Sequence, residues 1–292
     1  MLIGVLHMKL REMSRKHNIE KARRMLKQAK EKGAKLAILP SLFPIGNTLE
    51  IYDNDKKLRS IIKNLAEKIP GSATDVLVNL ALDSEMHLIS GPLLEQAGPK
   101  VFLTTLIISP QGEIIGKYRK IFTSEKDARL GISAGKEPVY MTLDKKYGIL
   151  AEDDIFSPEI NRIILLGDAQ LIIGTMKAFA KNQDLVKHFV ITRTVENDLP
   201  YIIAGEVIEN ENGDIIGYSP TVVSSPDTLI YKDMEEDEGV ILVDSNILRQ
   251  YTTTKSYNMN NLETIINGFC RSYRKLRPTK KVASSKEEEE EE

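Results

Sequence analysis

The chain of 292 residues holds one cysteine, Cys270, and no tryptophan. A lone cysteine excludes an internal disulfide and any cysteine-built metal cluster. The histidines, at positions 7, 17, 87 and 188, are too scattered to suggest a metal site. No apolar run approaches the roughly 20 residues of a membrane-spanning helix. The opening MLIGVLHMKLREM is apolar for a few residues and then basic, an order that does not match a secretion signal. The formal net charge is only −2, so no overall field steers the chain to nucleic acid or to a membrane. These absences lead us to expect a cytoplasmic protein with no metal, no cofactor, no nucleic-acid partner and no membrane partner. Abundant Lys and Glu without Trp lean towards a thermophile.

What is present is strand-like runs alternating with amphipathic stretches. Leu2–His7 reads as a strand, and a helix is expected from about Asn18, with Asn18 as N-cap and Ala22, Met25, Leu26 and Ala29 on its apolar face. Gly33 stops it, and 35–39 forms the next strand, ended by Pro40. Further strands are expected at 87–90, 101–108, 113–116, 147–152, 170–173, 201–207, 221–224 and 239–243. Helices are expected at 75–82, 158–166 and 183–196. This strand–helix–strand rhythm, broken by hairpins, predicts an α/β fold with mixed sheets. One domain is expected over residues 1–265. Residues 266–292 form a C-terminal extension, basic and then polyglutamate, whose last residues should be solvated.

Four blocks, in order, resemble the nitrilase (carbon–nitrogen hydrolase) superfamily. They are NIEKARRMLKQAKEKGAKLAILPSLFPIG from Asn18, GEIIGKYRKIFTSEKDARLGISAGKEPVY from Gly112, YGILAEDDIFSPEINRIILLGDAQLII from Tyr147, and TRTVENDLPYIIAGEV from Thr192. The resemblance implies a four-layer α-β-β-α sandwich with two mixed sheets, and a C2 homodimer. It also implies a chemistry. A cysteine thiolate attacks an amide or nitrile carbon, a glutamate moves the protons, and a lysine steadies the developing oxyanion.

At the three positions that carry this chemistry, only Lys120 in YRK matches. The family's glutamate position holds Ser41, and its cysteine position holds Glu152. Carboxylate attack at Glu152 would form an anhydride, a poor route. A buried ion pair with Lys120 is the preferred expectation, because a lysine alone in a closed pocket is costly. Ser41 has no evident activating base and reads as a neutral strand-end serine. Glu125 matches an accessory acid that either enters the pocket or faces solvent. On a strand, Glu152 and Asp154 would share the pocket face and Asp153 would point away. Arg193, Glu196 and Asn197 read as a packed polar network, and Phe43, Phe122 and Phe156 as side chains that could fill the pocket. Cys270 lies beyond the motifs. The expected function is a pseudoenzyme: a binding, sensing or scaffold subunit, with a small-molecule ligand or a protein partner for its tail. The alternative is a carbon–nitrogen hydrolase with altered catalytic residues.

Overall fold

In the computed structural model, which describes residues 1–248 and 259–276, strand alternation decides which layer each side chain enters. The first half runs β1 (Leu2–Arg11), α1 (Arg15–Glu31), β2 (Leu36–Ile38), α2 (Asp55–Leu65), α3 (Ser72–Ser84), β3 (His87–Ile89), β4 (Leu93–Ala97), β5 (Lys100–Ile108) and β6 (Ile114–Arg119). Next come α4 (Glu125–Leu130), β7 (Tyr140–Thr142), β8 (Lys146–Ala151), a 3-10 turn at Glu152–Phe156, α5 (Pro158–Leu166), β9 (Leu171–Thr175) and α6 (Leu185–Asn197). Last are β10 (Tyr201–Ala204), β11 (Glu206–Glu209), β12 (Ile215–Ser219), β13 (Thr221–Ser224), β14 (Lys232–Met234), β15 (Gly239–Asp244) and α7 (Met259–Leu276).

Among the described residues the strands form two sheets. The larger runs β12-β11-β1-β2-β3-β5-β4, with β15 also paired to β1 and β6 to β5. The smaller runs β14-β13-β10-β9-β8-β7. Both are mixed: β1–β2 and β8–β9 are parallel, β4–β5 and β13–β14 antiparallel.

Ile3 and Val5 of β1 share one buried cluster with Ile149, Ile173, Ile202 and Val223 of the other sheet. The alternate residues Leu6, Met8 and Leu10 pack instead with Met25 and Leu26 of α1 and Leu77 and Leu80 of α3. In the smaller sheet, Leu150, Ile172 and Ile203 meet Ile164 of α5 and Val186 and Val190 of α6. Period-two alternation on two sheets thus produces helix, sheet, sheet and helix layers. Each fully buried aliphatic side chain contributes about 1.5–3 kcal/mol, so the three interfaces outweigh any single cap.

Four expectations change. Asn18 is not a cap. It lies inside α1, fully buried, and its side chain bonds Arg11 backbone atoms and the Pro44 carbonyl. Residues 201–207 do not form one strand. The chain breaks at Gly205, so β10 belongs to the smaller sheet and β11 to the larger. The strand expected to reach Glu152 ends at Ala151. The expected boundary at 265 falls inside α7, whose apolar positions run on to Leu276; the chain divides after Tyr251. The polyglutamate run lies outside the described residues. Among the described residues no helix is long and apolar enough to cross a membrane.

Candidate functional site

Ser41 follows β2, Lys120 follows β6 and Glu152 follows β8, so strand ends deliver all three to one place. Gly91 lets this happen. A Cβ there would lie 1.9 Å from the Pro40 carbonyl oxygen, so only glycine allows that backbone so close. Glu152 itself has φ +50, a left-handed conformation that non-glycine residues seldom adopt. The turn aims its side chain back at β2 and β6.

The ion pair expected between Lys120 and Glu152 is formed at 2.9 Å. Lys120 Nζ also meets Asp153 Oδ2 at 2.6 Å and Asp127 Oδ2 at 2.8 Å, three partners for the three protons of an ammonium. Asp153 Oδ2 is shared with Lys177 Nζ at 2.7 Å, and Lys177 reaches Glu50 at 2.7 Å. The other oxygen of Glu152 accepts from Ser41 Oγ at 2.6 Å and from Asn47 Nδ2 at 2.7 Å. Asn47 Nδ2 also lies 3.0 Å from Ser41 Oγ. Ser41, Asn47, Lys120, Asp127, Glu152, Asp153 and Lys177 are all buried.

Burial opposes charge on Lys120, yet Glu152, Asp153 and Asp127 hold its ammonium well above its ordinary range. Burial likewise works against the Asp153 carboxylate, and Lys177 and Lys120 nevertheless keep its pKa below the usual value. Glu206, at the start of β11, behaves oppositely. Burial, reinforced by the charge of Glu152, pushes its carboxyl far up, against the opposing pull of the backbone N–H groups of Ala178, at 3.2 Å, and Asn47. Its Oε2 has no protein partner.

Several expected assignments move. Because Glu152 opens a 3-10 turn and does not extend a strand, side chains no longer alternate. Asp153 enters the cluster and Asp154 leaves it. Asp154 accepts from the Tyr118 hydroxyl at 2.6 Å and from the backbone of Ala151, Ile121 and Phe122. It clamps the segment after β6, with burial pushing its pKa up to about 6 despite those donors. Glu125, the first residue of α4, is exposed. Asp127, two residues on, caps α4 through Ser124 and meets Lys120.

Ser41, expected to lack a base, has Glu152 at 2.6 Å. Phe43 packs with the α1 and α3 layer, Phe122 is exposed and Phe156 meets Phe189 edge-on at 4.7 Å. The space around Lys120 is therefore occupied by polar groups. Arg193 braces the turn behind Glu152 by bonding the Ile155 and Phe156 carbonyls, and it pairs with Glu196. Asn197 bonds the Tyr201 hydroxyl.

Asn47, Glu50, Asp127, Lys177 and Glu206 have no place in the sequence reading, and Asp153 is placed there facing away. A signal existed for Lys177. Like Glu152, it is a charged residue just beyond an apolar strand, in IIGTMK. Among the described residues no cluster of His, Cys, Asp and Glu has the geometry to hold a metal ion. The carboxylates nearest one another are already engaged by Lys120 and Lys177.

Comparison with known proteins agrees with this architecture. The profile of the carbon-nitrogen hydrolase family matches residues 2–255. A nitrilase of Pyrococcus abyssi is 29% identical over 246 residues, covering 80% of this chain and 85% of that one. An omega-amidase of Xenopus laevis, NIT2-A, is 30% identical over 224 residues, covering 72% and 75%. A mutant of the Nesterenkonia AN1 amidase from the nitrilase superfamily superposes with a TM-score of 0.72 at 20% identity, covering 94% of this chain and 97% of its own. In another mutant of that amidase, acrylamide is added at the active-site cysteine. Here the one cysteine, Cys270, lies on α7, beyond the matched residues. By sequence profile and by fold, this chain belongs to the carbon–nitrogen hydrolase family.

Proposed function

We propose that this protein has given up thiol-based hydrolysis of amides and nitriles and serves as a binding, sensing or scaffold subunit on the nitrilase fold. One observation carries this reading: Glu152, which the sequence motif puts at the family's thiol position, has both carboxylate oxygens engaged. Oε2 holds Lys120, and Oε1 holds Ser41 and Asn47. A family oxyanion donor locked to three carboxylates is not free to meet a developing charge. The cluster is buried and mutually satisfied, as a structural ion network is.

A second reading has its own observation. The hydroxyl of Ser41 lies within 2.6 Å of a carboxylate, the distance of a nucleophile from its base. On that reading the protein is a carbon–nitrogen hydrolase in which Ser41 attacks and Glu152 takes the proton. The pairing of Glu152 with Lys120 and the burial of Ser41 weigh against it.

Ammonia release from a panel of amides and nitriles separates the two. The purified protein should release none, and Lys120→Ala and Ser41→Ala should match it. Release by the wild type that disappears in Ser41→Ala would overturn the pseudoenzyme reading and establish the serine route.

A further inference from the structure

Glu50 carries the buried network out to the surface. Its Oε1 accepts from Lys177 Nζ at 2.7 Å, and Lys126 Nζ lies 3.9 Å from its Oε2. The side chains of Lys177, Lys126 and Glu50 are 2%, 12% and 20% exposed, so they step from the interior to a rim. They arrive from three places: the loop between β2 and α2, the start of α4, and the segment after β9. None of them is one of the three motif positions.

Lys120 has its three carboxylates without Glu50. Lys177 depends on Glu50 more, because its other carboxylate, Asp153, is shared with Lys120. Burial and the nearby Lys120 pull the Lys177 pKa down, while Asp153, Glu152 and Glu50 raise it above its ordinary value. A buried ammonium needs anionic partners, and here one of them reaches solvent.

The backbone on either side of Glu50 is held independently. Leu49 packs with Leu58 and Ile62 of α2, and its N–H donates to Asn47 Oδ1. The N–H groups of Ile51 and Tyr52 donate to the Thr48 carbonyl at 3.1 and 3.3 Å, and the Tyr52 hydroxyl donates to Glu12. Rotamer changes alone can therefore turn the Glu50 carboxylate out into water. A dissolved carboxylate taking its place would meet the same two ammonium groups at the same charge. A neutral molecule there would leave Lys177 short of an anion.

We propose that Lys177 and Lys126 form a binding site for the carboxylate of a small organic acid, closed in this structure by Glu50 as a tethered stand-in. This names a ligand class for the binding-subunit reading and rests on that reading. A protein that releases no ammonia and binds no carboxylate would lose this proposal and keep that reading.

Acetate replaces the CH2–COO⁻ group that Glu50→Ala removes, so it is the probe. NMR line broadening of isotope-labelled acetate, at an ionic strength fixed with chloride, measures binding to the full-length protein. A site that its own side chain fills about nine-tenths of the time appears about tenfold weaker to a ligand. Glu50→Ala should therefore bind acetate about tenfold or more tightly than the wild type. Glu50→Gln keeps the shape of the side chain without its charge, and should shift affinity in the same direction if Glu50→Ala fails to fold. Adding Lys177→Met to Glu50→Gln should abolish binding, and adding Lys126→Ala should weaken it about threefold, as loss of a rim charge does. Circular dichroism checks that each variant is folded. Equal acetate affinity in the wild type and the Glu50 variants overturns the proposal. So does a folded Glu50→Gln protein that binds no acetate, or binding that survives Lys177→Met.

Discussion

Ser41 donates its hydroxyl hydrogen bond to Glu152 across 2.6 Å, joining the end of the second strand to the turn after β8. On the proposed reading, the hydroxyl and the acid stand where the motif calls for an acid and a thiol. Lys120 answers to three carboxylates at 2.6–2.9 Å.

Lys120 should therefore matter to stability more than Glu152 does. Lys120→Ala leaves Glu152, Asp153 and Asp127 short of their shared cation and should cost about 3–5 kcal/mol. Glu152→Gln keeps two carboxylates on Lys120 and keeps an acceptor for Ser41, so about 1–3 kcal/mol is expected. Urea unfolding of the two variants beside the wild type checks the order. Equal losses would mean that the ammonium does not anchor the cluster.

Asn47 should matter more to stability than Ser41. Ser41→Ala removes one hydrogen bond to Glu152 and leaves Asn47 in place, a cost of about 1–2 kcal/mol. Asn47→Ala removes donors to both Ser41 and Glu152, and also the Oδ1 that accepts from the Leu49 N–H at 3.1 Å. It should cost more, about 2–4 kcal/mol, because the buried Leu49 N–H loses its acceptor and both Ser41 and Glu152 lose a donor. Thermal melts of both variants decide. A milder effect at Asn47 would show that its contacts are incidental.

The layers were legible because period-two alternation survives in β1, β8 and β9, and because the helical face of α1 repeats cleanly at Ala22, Met25, Leu26 and Ala29. The meeting of Lys120 with Glu152 was legible because motif and desolvation cost agree on it. The roles of Asp153 and Asp154 were not legible. A strand and a 3-10 turn share the sequence AEDD, and only the positive φ at Glu152 decides between them. Asp127 was hidden for a similar reason. Its position in a capping box and its reach to Lys120 depend on where α4 begins, and Glu125 lies two residues away. Lys177 and Glu50 arrive from segments distant in sequence, and no local pattern links them to Asp153.

The break at Gly205 yields a sharp prediction. The sequence from Tyr201 to Val207 has strand character throughout, yet it is divided between two sheets. A Cβ on Gly205 would lie 2.0 Å from the Ser219 carbonyl oxygen and 2.5 Å from the Pro220 backbone, atoms that cannot swing aside. Gly205→Ala should cost about 3 kcal/mol or more. Gly268→Ala is the control. Nothing lies within 4 Å of its added methyl, and the change should stabilise α7 slightly. A Gly205→Ala protein with wild-type stability would mean that the two sheets can part at this point.

His7 sets a pH dependence whose sign is fixed by its bonds. Its Nε2 donates to the Glu235 carbonyl at 2.6 Å, so Nδ1 is left to accept from the Thr221 hydroxyl at 2.8 Å. Thr221 Oγ1 in turn accepts from the Gly205 N–H at 2.9 Å. A second proton on the ring would break this chain, and burial lowers the His7 pKa from 6.5 to about 4 despite the Glu235 carbonyl. Between those two values the unfolded chain binds a proton that the folded one refuses. Stability from His7 is therefore complete above pH 6.5 and is lost as pH falls towards 4, by up to about 3 kcal/mol. Other groups titrate in the same window, Asp154 among them, so the informative quantity is the difference from His7→Gln, which cannot take the proton. Urea unfolding of both proteins at about pH 7.5 and about pH 4.5 should show the wild type losing more stability than the variant. Equal losses would mean that His7 takes its proton as readily in the folded protein as in the unfolded chain, and that the link from β1 to β13 through Thr221 does not depend on its neutral ring.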